Sequence, residues 1–179
     1  MDNNLLVCFP TKTVYALACS ALDSGAIKKY TSLTKIAELE EKYFDLINYF
    51  SPAPITYMLP LKNNNILPNE FFKGSVRIRI PNHPIAISIL NELKTPIVAT
   101  SINISREINV YKANDIPQSI RQHLSAVVED DKLVSGKEST VIDLTGDKIK
   151  VLREVAVSFQ VICFQAGVYR RKNEKSNRQ

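Results

Sequence analysis

Ser75-Val76-Arg77-Ile78-Arg79-Ile80-Pro81-Asn82-His83-Pro84 changes its period part-way along. Val76, Ile78 and Ile80 alternate with Arg77 and Arg79, the two-residue repeat of a strand with one face on a core, so both arginines project from the opposite face. Pro81-Asn82-His83-Pro84 is a turn signal, with a structural role expected for His83. Beyond it Ile85, Ile89 and Leu93 recur at helical spacing, and Ile97-Val98-Ala99 reads as the next strand. A strand, a helix and a strand in succession point to the α/β class rather than to an all-β or all-α chain.

Working outward, residues 5–9 read as a short buried strand halted by Pro10, and Asp23-Ser24 as the cap of a helix through Ala26-Ile27-Lys28-Lys29. Ile36, Leu39, Tyr43, Leu46, Ile47 and Phe50 predict one amphipathic helix, stopped by Ser51-Pro52-Ala53-Pro54. Residues 55–61 read as a strand, 117–124 as a short helix and 126–129 as a strand. Thr140-Val141-Ile142-Asp143-Leu144 and Ile149-Lys150-Val151-Leu152-Arg153 form a hairpin around Gly146. Strands that alternate with helices and also pair as a hairpin predict an α/β fold of α+β type, with a mixed, twisted sheet flanked by helices. One domain over 1–169 is expected, followed by a basic, disordered tail at 170–179.

Composition narrows the function. In 179 residues there is no apolar run of the length a membrane span needs and no secretory leader pattern, so a cytoplasmic protein without membrane contact is the expectation. Cys8, Cys19 and Cys163 are too scattered for a disulfide framework or a zinc site, and His83 and His123 form no metal pair; no protein-bound metal is expected. The formal charge of +5 is concentrated at the C-terminal end, where Arg170, Arg171, Lys172, Lys175 and Arg178 face only Glu174. The rest of the chain carries 18 basic against 17 acidic residues. Such a tail adds salt-dependent affinity for RNA or is simply a solvated end.

Apolar runs end in small hydroxyl residues at Val7-Cys8-Phe9-Pro10-Thr11-Lys12-Thr13, Ile97-Val98-Ala99-Thr100-Ser101-Ile102-Asn103 and Glu138-Ser139-Thr140. If these are neighbouring strands, their ends gather hydroxyls around one crevice, where open sheets bind ligands. The chain has no H-E-x-x-H, G-x-S-x-G, Walker or dinucleotide fingerprint. Thr13, Ser75, Arg79, Ser101, Ser139 and Arg153 remain, a set suited to gripping carboxylates and phosphates and to phosphoryl or nucleotidyl transfer.

Five blocks resemble the YrdC/Sua5 family, in that family's order. They are Phe9-Pro10-Thr11-Lys12-Thr13-Val14-Tyr15-Ala16-Leu17, Ser51-Pro52-Ala53-Pro54-Ile55-Thr56, Val76 through Pro84, Ala99-Thr100-Ser101-Ile102-Asn103-Ile104-Ser105, and Glu138 through Asp147 with Leu152-Arg153. The resemblance implies a single YrdC/RibB-like domain and a threonylcarbamoyl-AMP synthase. That enzyme joins L-threonine, bicarbonate or CO2, and ATP with its Mg²⁺ into threonylcarbamoyl-adenylate and releases pyrophosphate. It also implies a threonylcarbamoyl-transfer complex as partner in tRNA threonylcarbamoyladenosine modification, with tRNA or double-stranded RNA as a further partner.

Carried over by position, the resemblance makes Arg79 and Thr13 the catalytic pair. Thr13, Tyr15, Arg79, Ala99 and Ser139 would bind threonine, and Lys35, Ser75, Ser101, Asn103, Asn109 and Arg153 would bind ATP. The family's basic K-x-R-P-x-x-N-P-L loop has no clear counterpart; Lys35-Ile36-Ala37 stands where its arginine and proline fall. Lys28, Lys29 or Lys35 would have to replace its contacts. The alternative reading is a catalytically impaired relative that binds RNA or a nucleotide.

Overall fold

Thr140-Val141-Ile142-Asp143 is buried at every position, as expected of a strand covered on both faces at the middle of a sheet. It is strand β7 of a computed structural model that describes residues 6–20, 36–63, 67, 72–93, 97–102 and 109–176. The other elements are β1 (Val7–Pro10), β2 (Tyr15–Ser20), α1 (Glu41–Phe50), β3 (Ile55–Pro60), β4 (Ser75–Ile78), α2 (Pro84–Leu93), β5 (Ile97–Ser101), α3 (Gln118–Arg121), β6 (Ala126–Val127), β8 (Lys150–Arg153) and α4 (Phe159–Ser176). A single 3-10 turn, Ala113–Asp115, precedes α3.

The fold is mixed α+β, but its strands divide between two four-stranded sheets, β5-β2-β1-β6 and β4-β3-β7-β8. Each sheet holds both parallel and antiparallel pairs: β1 runs parallel to β6 and antiparallel to β2, β3 parallel to β7 and antiparallel to β4. The three hydroxyl-ended runs are therefore not neighbours in one sheet. β2 inserts between β1 and β5, and β7 belongs to the second sheet. Two of the runs still meet across the sheets, where Arg79 bonds Thr13 and extends the strand beside Thr56, itself bonded to Ser139.

The larger core lies on one face of the second sheet. Ile55, Tyr57 and Leu59 of β3 point into it with Val76 of β4, meeting Tyr43, Leu46 and Ile47 of α1 and Ile162 of α4. Full burial of a side chain such as Ile162 is worth about 1.5–3 kcal/mol. Since Val76 faces this core, Arg77 and Arg79 take the other face, as their alternation predicts. Helix α2 covers the first sheet by setting Ala86 against Phe9, Ala16 and Ala18.

Two helical readings change. The helix expected from Ile36 starts at Glu41, because Ala37 pairs with Leu61, Glu38 N–H donates to the Pro60 carbonyl and Lys62 N–H to the Ile36 carbonyl. Ile36 and Ala37 still join the core cluster, so Ile36 fits the apolar pattern through burial without belonging to α1. Helix α4, absent from the sequence reading, begins at Phe159 and includes 170–176, part of the basic stretch read as a tail. The helix expected at Ala26-Ile27-Lys28-Lys29 lies outside the described residues.

Candidate functional site

The turn Thr11-Lys12-Thr13-Val14 closes the β1–β2 hairpin, and its hydrogen bonds fix each threonine proton. Thr11 Oγ1 donates to the Val14 carbonyl at 2.7 Å, so in its 3.0 Å contact with Thr13 Oγ1 it must accept. Thr13 thus spends its only hydroxyl proton on Thr11. One of its lone pairs takes Arg79 Nη1 at 2.7 Å, and the other remains for a donor such as an amine. Both threonines are buried.

Arg79 follows β4 directly. Extending the β3–β4 register by one residue sets it opposite Thr56 on the face away from the core. Thr56 Oγ1 lies 2.8 Å from Ser139 Oγ, and Ser139 is gripped by Arg153 twice, Nε to its carbonyl at 3.0 Å and Nη2 to its hydroxyl at 3.3 Å. The site therefore collects the starts of β3 and β7, the ends of β4 and β8, and the hairpin turn of the first sheet.

Two guanidinium groups meet here on unequal terms. Arg153 Nη1 has a carboxylate, Glu138 Oε1, at 2.8 Å. Among the described residues no carboxylate pairs with Arg79. Burial and the nearby Arg153 charge both press its pKa below the usual arginine value. A half-buried cation without its own carboxylate can receive an anion, and its planar fork matches a carboxylate.

The segment from Glu129 to Glu138 straps the two sheets together. Tyr15 Oη donates to Asp131 Oδ1 at 2.8 Å and accepts from Asp130 N–H at 3.0 Å, while Ala113 N–H also donates to Asp131. Ser135 and Gly136 N–H groups cap the Lys12 and Thr13 carbonyls. Gly136 sits at φ +73°, a left-handed conformation that suits glycine, with the Tyr111 ring alongside. Tyr15 is fully buried and its hydroxyl is committed to the strap. That hydroxyl anchors the strap to the first sheet.

Of the expected site residues, Thr13, Arg79, Ser139, Arg153 and Asn109 are brought together, Asn109 through Nδ2 to Glu138 Oε1 at 3.0 Å. Ser101 ends β5 opposite Ala16, with Ala99 exposed two residues back on that edge strand. Ser75 begins β4 beside Pro60, four residues from Arg79 and about 13 Å along the strand. It is not part of this cluster. Lys35 and Asn103 lie outside the described residues. Thr11, Thr56 and Glu138 are site members that the sequence reading missed, although each adjoins a quoted hydroxyl or strand-start position.

Cys8 is buried and its thiol is pushed up to about 12, chiefly by loss of water and only partly opposed by Arg121, so it stays a protonated hydrophobe. Among the described residues no three His, Cys, Asp or Glu side chains gather to hold a metal, and no helix is long and apolar enough to cross a membrane.

His83 is fully buried, with no hydrogen-bond partner for either ring nitrogen. Burial lowers its pKa against the opposing pull of Asp130, and Lys12 lowers it further. A folded-state pKa below the unfolded value means its contribution to stability is full above about pH 6.5 and is lost as pH falls through the folded value. Urea midpoints measured between pH 7.5 and 5 should therefore drop more for the wild type than for His83→Asn. The limit is one proton, about 1.4 kcal/mol per pH unit. Parallel slopes would show that His83 does not titrate in this way.

The family model described as "Telomere recombination", covering Sua5, YciO and YrdC proteins, matches residues 26–155. The chain belongs to the Sua5/YciO/YrdC family. It is 29% identical over 183 residues to a threonylcarbamoyl-AMP synthase of Bacillus subtilis (strain 168), a match covering 90% of this chain and 53% of that protein. The Pyrococcus abyssi (strain GE5 / Orsay) threonylcarbamoyl-AMP synthase is 31% identical over 162 residues, covering 78% of this chain and 47% of its own length. The chain thus spans about half the length of these two relatives. The crystal structure of P. abyssi Sua5 complexed with L-threonine superposes with a TM-score of 0.81 at 28% identity, over 90% of this chain and 54% of that one. Escherichia coli YciO shares the fold, with a TM-score of 0.74 at 21% identity over 87% of this chain and 85% of its own.

Proposed function

We propose that this member of the Sua5/YciO/YrdC family makes threonylcarbamoyl-AMP from L-threonine, CO2 or bicarbonate, and MgATP. The observation that carries the reading is the half-buried Arg79 guanidinium, bonded to Thr13 and without a carboxylate among the described residues. It supplies an anion receptor beside an oriented hydroxyl whose remaining lone pair suits an amine. An α-amino acid carries those two groups one carbon apart. Relatives named threonylcarbamoyl-AMP synthase and the threonine-bound P. abyssi Sua5 support the choice of amino acid.

In this reading Arg79 holds the threonine carboxylate and Thr13 accepts from the amine. Once that amine has added CO2 and lost a proton, a carbamate oxygen attacks the α-phosphorus of ATP. The bond to the bridging oxygen breaks, and pyrophosphate leaves with both electrons. No protein nucleophile is needed, so catalysis rests on alignment and charge, with Arg153 and Asn109 assigned to the nucleotide and Ser139 to threonine. The product would serve tRNA modification.

The test is pyrophosphate release with ATP, L-threonine and bicarbonate, omitting each in turn. Release that needs all three supports the reading. No release at high protein concentration, or release indifferent to threonine, overturns it.

A further inference from the structure

Glu138 stands at the junction of two side chains from different parts of the fold. Its Oε1 accepts Arg153 Nη1 from β8 at 2.8 Å and Asn109 Nδ2, from the segment after β5, at 3.0 Å. That shared oxygen also settles which way the Asn109 amide faces, since the reverse orientation would set an amide oxygen against a carboxylate oxygen. Asn109 Oδ1 is consequently turned away from Glu138. It is buried and has no hydrogen-bond partner among the described residues. An orphaned buried acceptor is costly, and it becomes favourable when a ligand donor arrives.

We infer that Glu138 is a positioning residue for the nucleotide: it locks Arg153 and orients Asn109 so that the Asn109 amide oxygen meets a donor on the bound nucleotide. The inference rests on the proposed use of this site for ATP. Its physical interest is that it runs against simple charge. A carboxylate beside a polyphosphate repels it, so a Glu138 that acted only as a local negative charge would weaken nucleotide binding. A Glu138 that positions two ligand-facing groups strengthens it, by removing the cost of ordering them at the moment of binding. The two roles predict opposite signs for the same substitution.

Glu138→Ala removes both the charge and the shared acceptor, whereas Glu138→Gln removes the charge and keeps an acceptor oxygen. Calorimetric binding of ATP and of L-threonine, each titrated separately, reads the difference. Positioning predicts that Glu138→Ala weakens ATP roughly tenfold, the order expected for one charge-assisted hydrogen bond. Glu138→Gln should recover part of that loss, and threonine affinity should stay within about twofold in both variants because Arg79 and Thr13 are untouched. Equal or tighter ATP binding by Glu138→Ala overturns the inference, as does a parallel loss of threonine binding, which would mark a general loosening of the fold. Absence of ATP binding in the wild type overturns the nucleotide reading itself. Binding by the wild type with unchanged variants overturns only the role of Glu138.

Discussion

Arg79→Ala is expected to lower L-threonine affinity by roughly a hundredfold or more and to abolish threonine-dependent pyrophosphate release, because truncating one partner of a buried, hydrogen-bonded charge pair costs about 2–5 kcal/mol. Arg79→Lys should restore little, since an ammonium presents a point charge where a carboxylate matches a planar fork. Stability should move the other way. Arg79 is half-buried beside Arg153 and has no carboxylate partner among the described residues, so its partial loss of water is a cost that the empty fold bears. Arg79→Met, which keeps an extended apolar chain, should unfold at the same temperature as the wild type or higher while remaining inactive. Calorimetry with threonine and a thermal melt on the same samples check both halves. Unchanged threonine affinity in Arg79→Ala would remove the basis for the proposed amino-acid site.

The second large effect is on stability. Thr140 is fully buried, and its single hydroxyl donates to the Val157 carbonyl at 2.7 Å while accepting from the Val155 and Val157 N–H groups at 3.1 and 2.9 Å. One side chain thus pins the turn that leads out of β8, just before α4 starts and carries Ile162 into the core. Thr140→Val preserves volume and shape but strands two donors and one acceptor. The expected loss is about 2–4 kcal/mol of unfolding free energy. Thr140→Ser, which keeps the oxygen and deletes only a methyl, should cost about 1 kcal/mol. Urea unfolding of the three proteins gives the comparison; equal midpoints for Val and Ser would show that the hydroxyl network carries no weight.

What was legible in the chain was local. The alternation through Val76, Ile78 and Ile80 sends Arg79 away from the core, and the Pro84–Leu93 helix and the hairpin from Thr140 to Arg153 lie where their periods place them. Five motif blocks carried the family likeness, and the family model matches residues 26–155, which hold the last four of them. A two- or four-residue period reports which face is apolar and says nothing about which strand lies alongside. The partners of β1, β5 and β7 are set by segments far away in the chain.

For that reason the division into two sheets, the insertion of β2 between β1 and β5, and the start of α1 at Glu41 instead of Ile36 belong to tertiary structure alone. So do the roles within the site. Sequence identified Thr13, Arg79, Ser139 and Arg153 as residue types able to hold anions. Only the fold could leave Arg79 without an acid while giving Glu138 to Arg153, because that choice depends on which strand ends converge. Tyr15 shows the same limit from the other side: its place in a conspicuous motif says nothing of its hydroxyl's partner, Asp131, 116 residues away in the chain. Residue chemistry set what this protein can bind, and long-range packing decided which of its cations is left open to bind it.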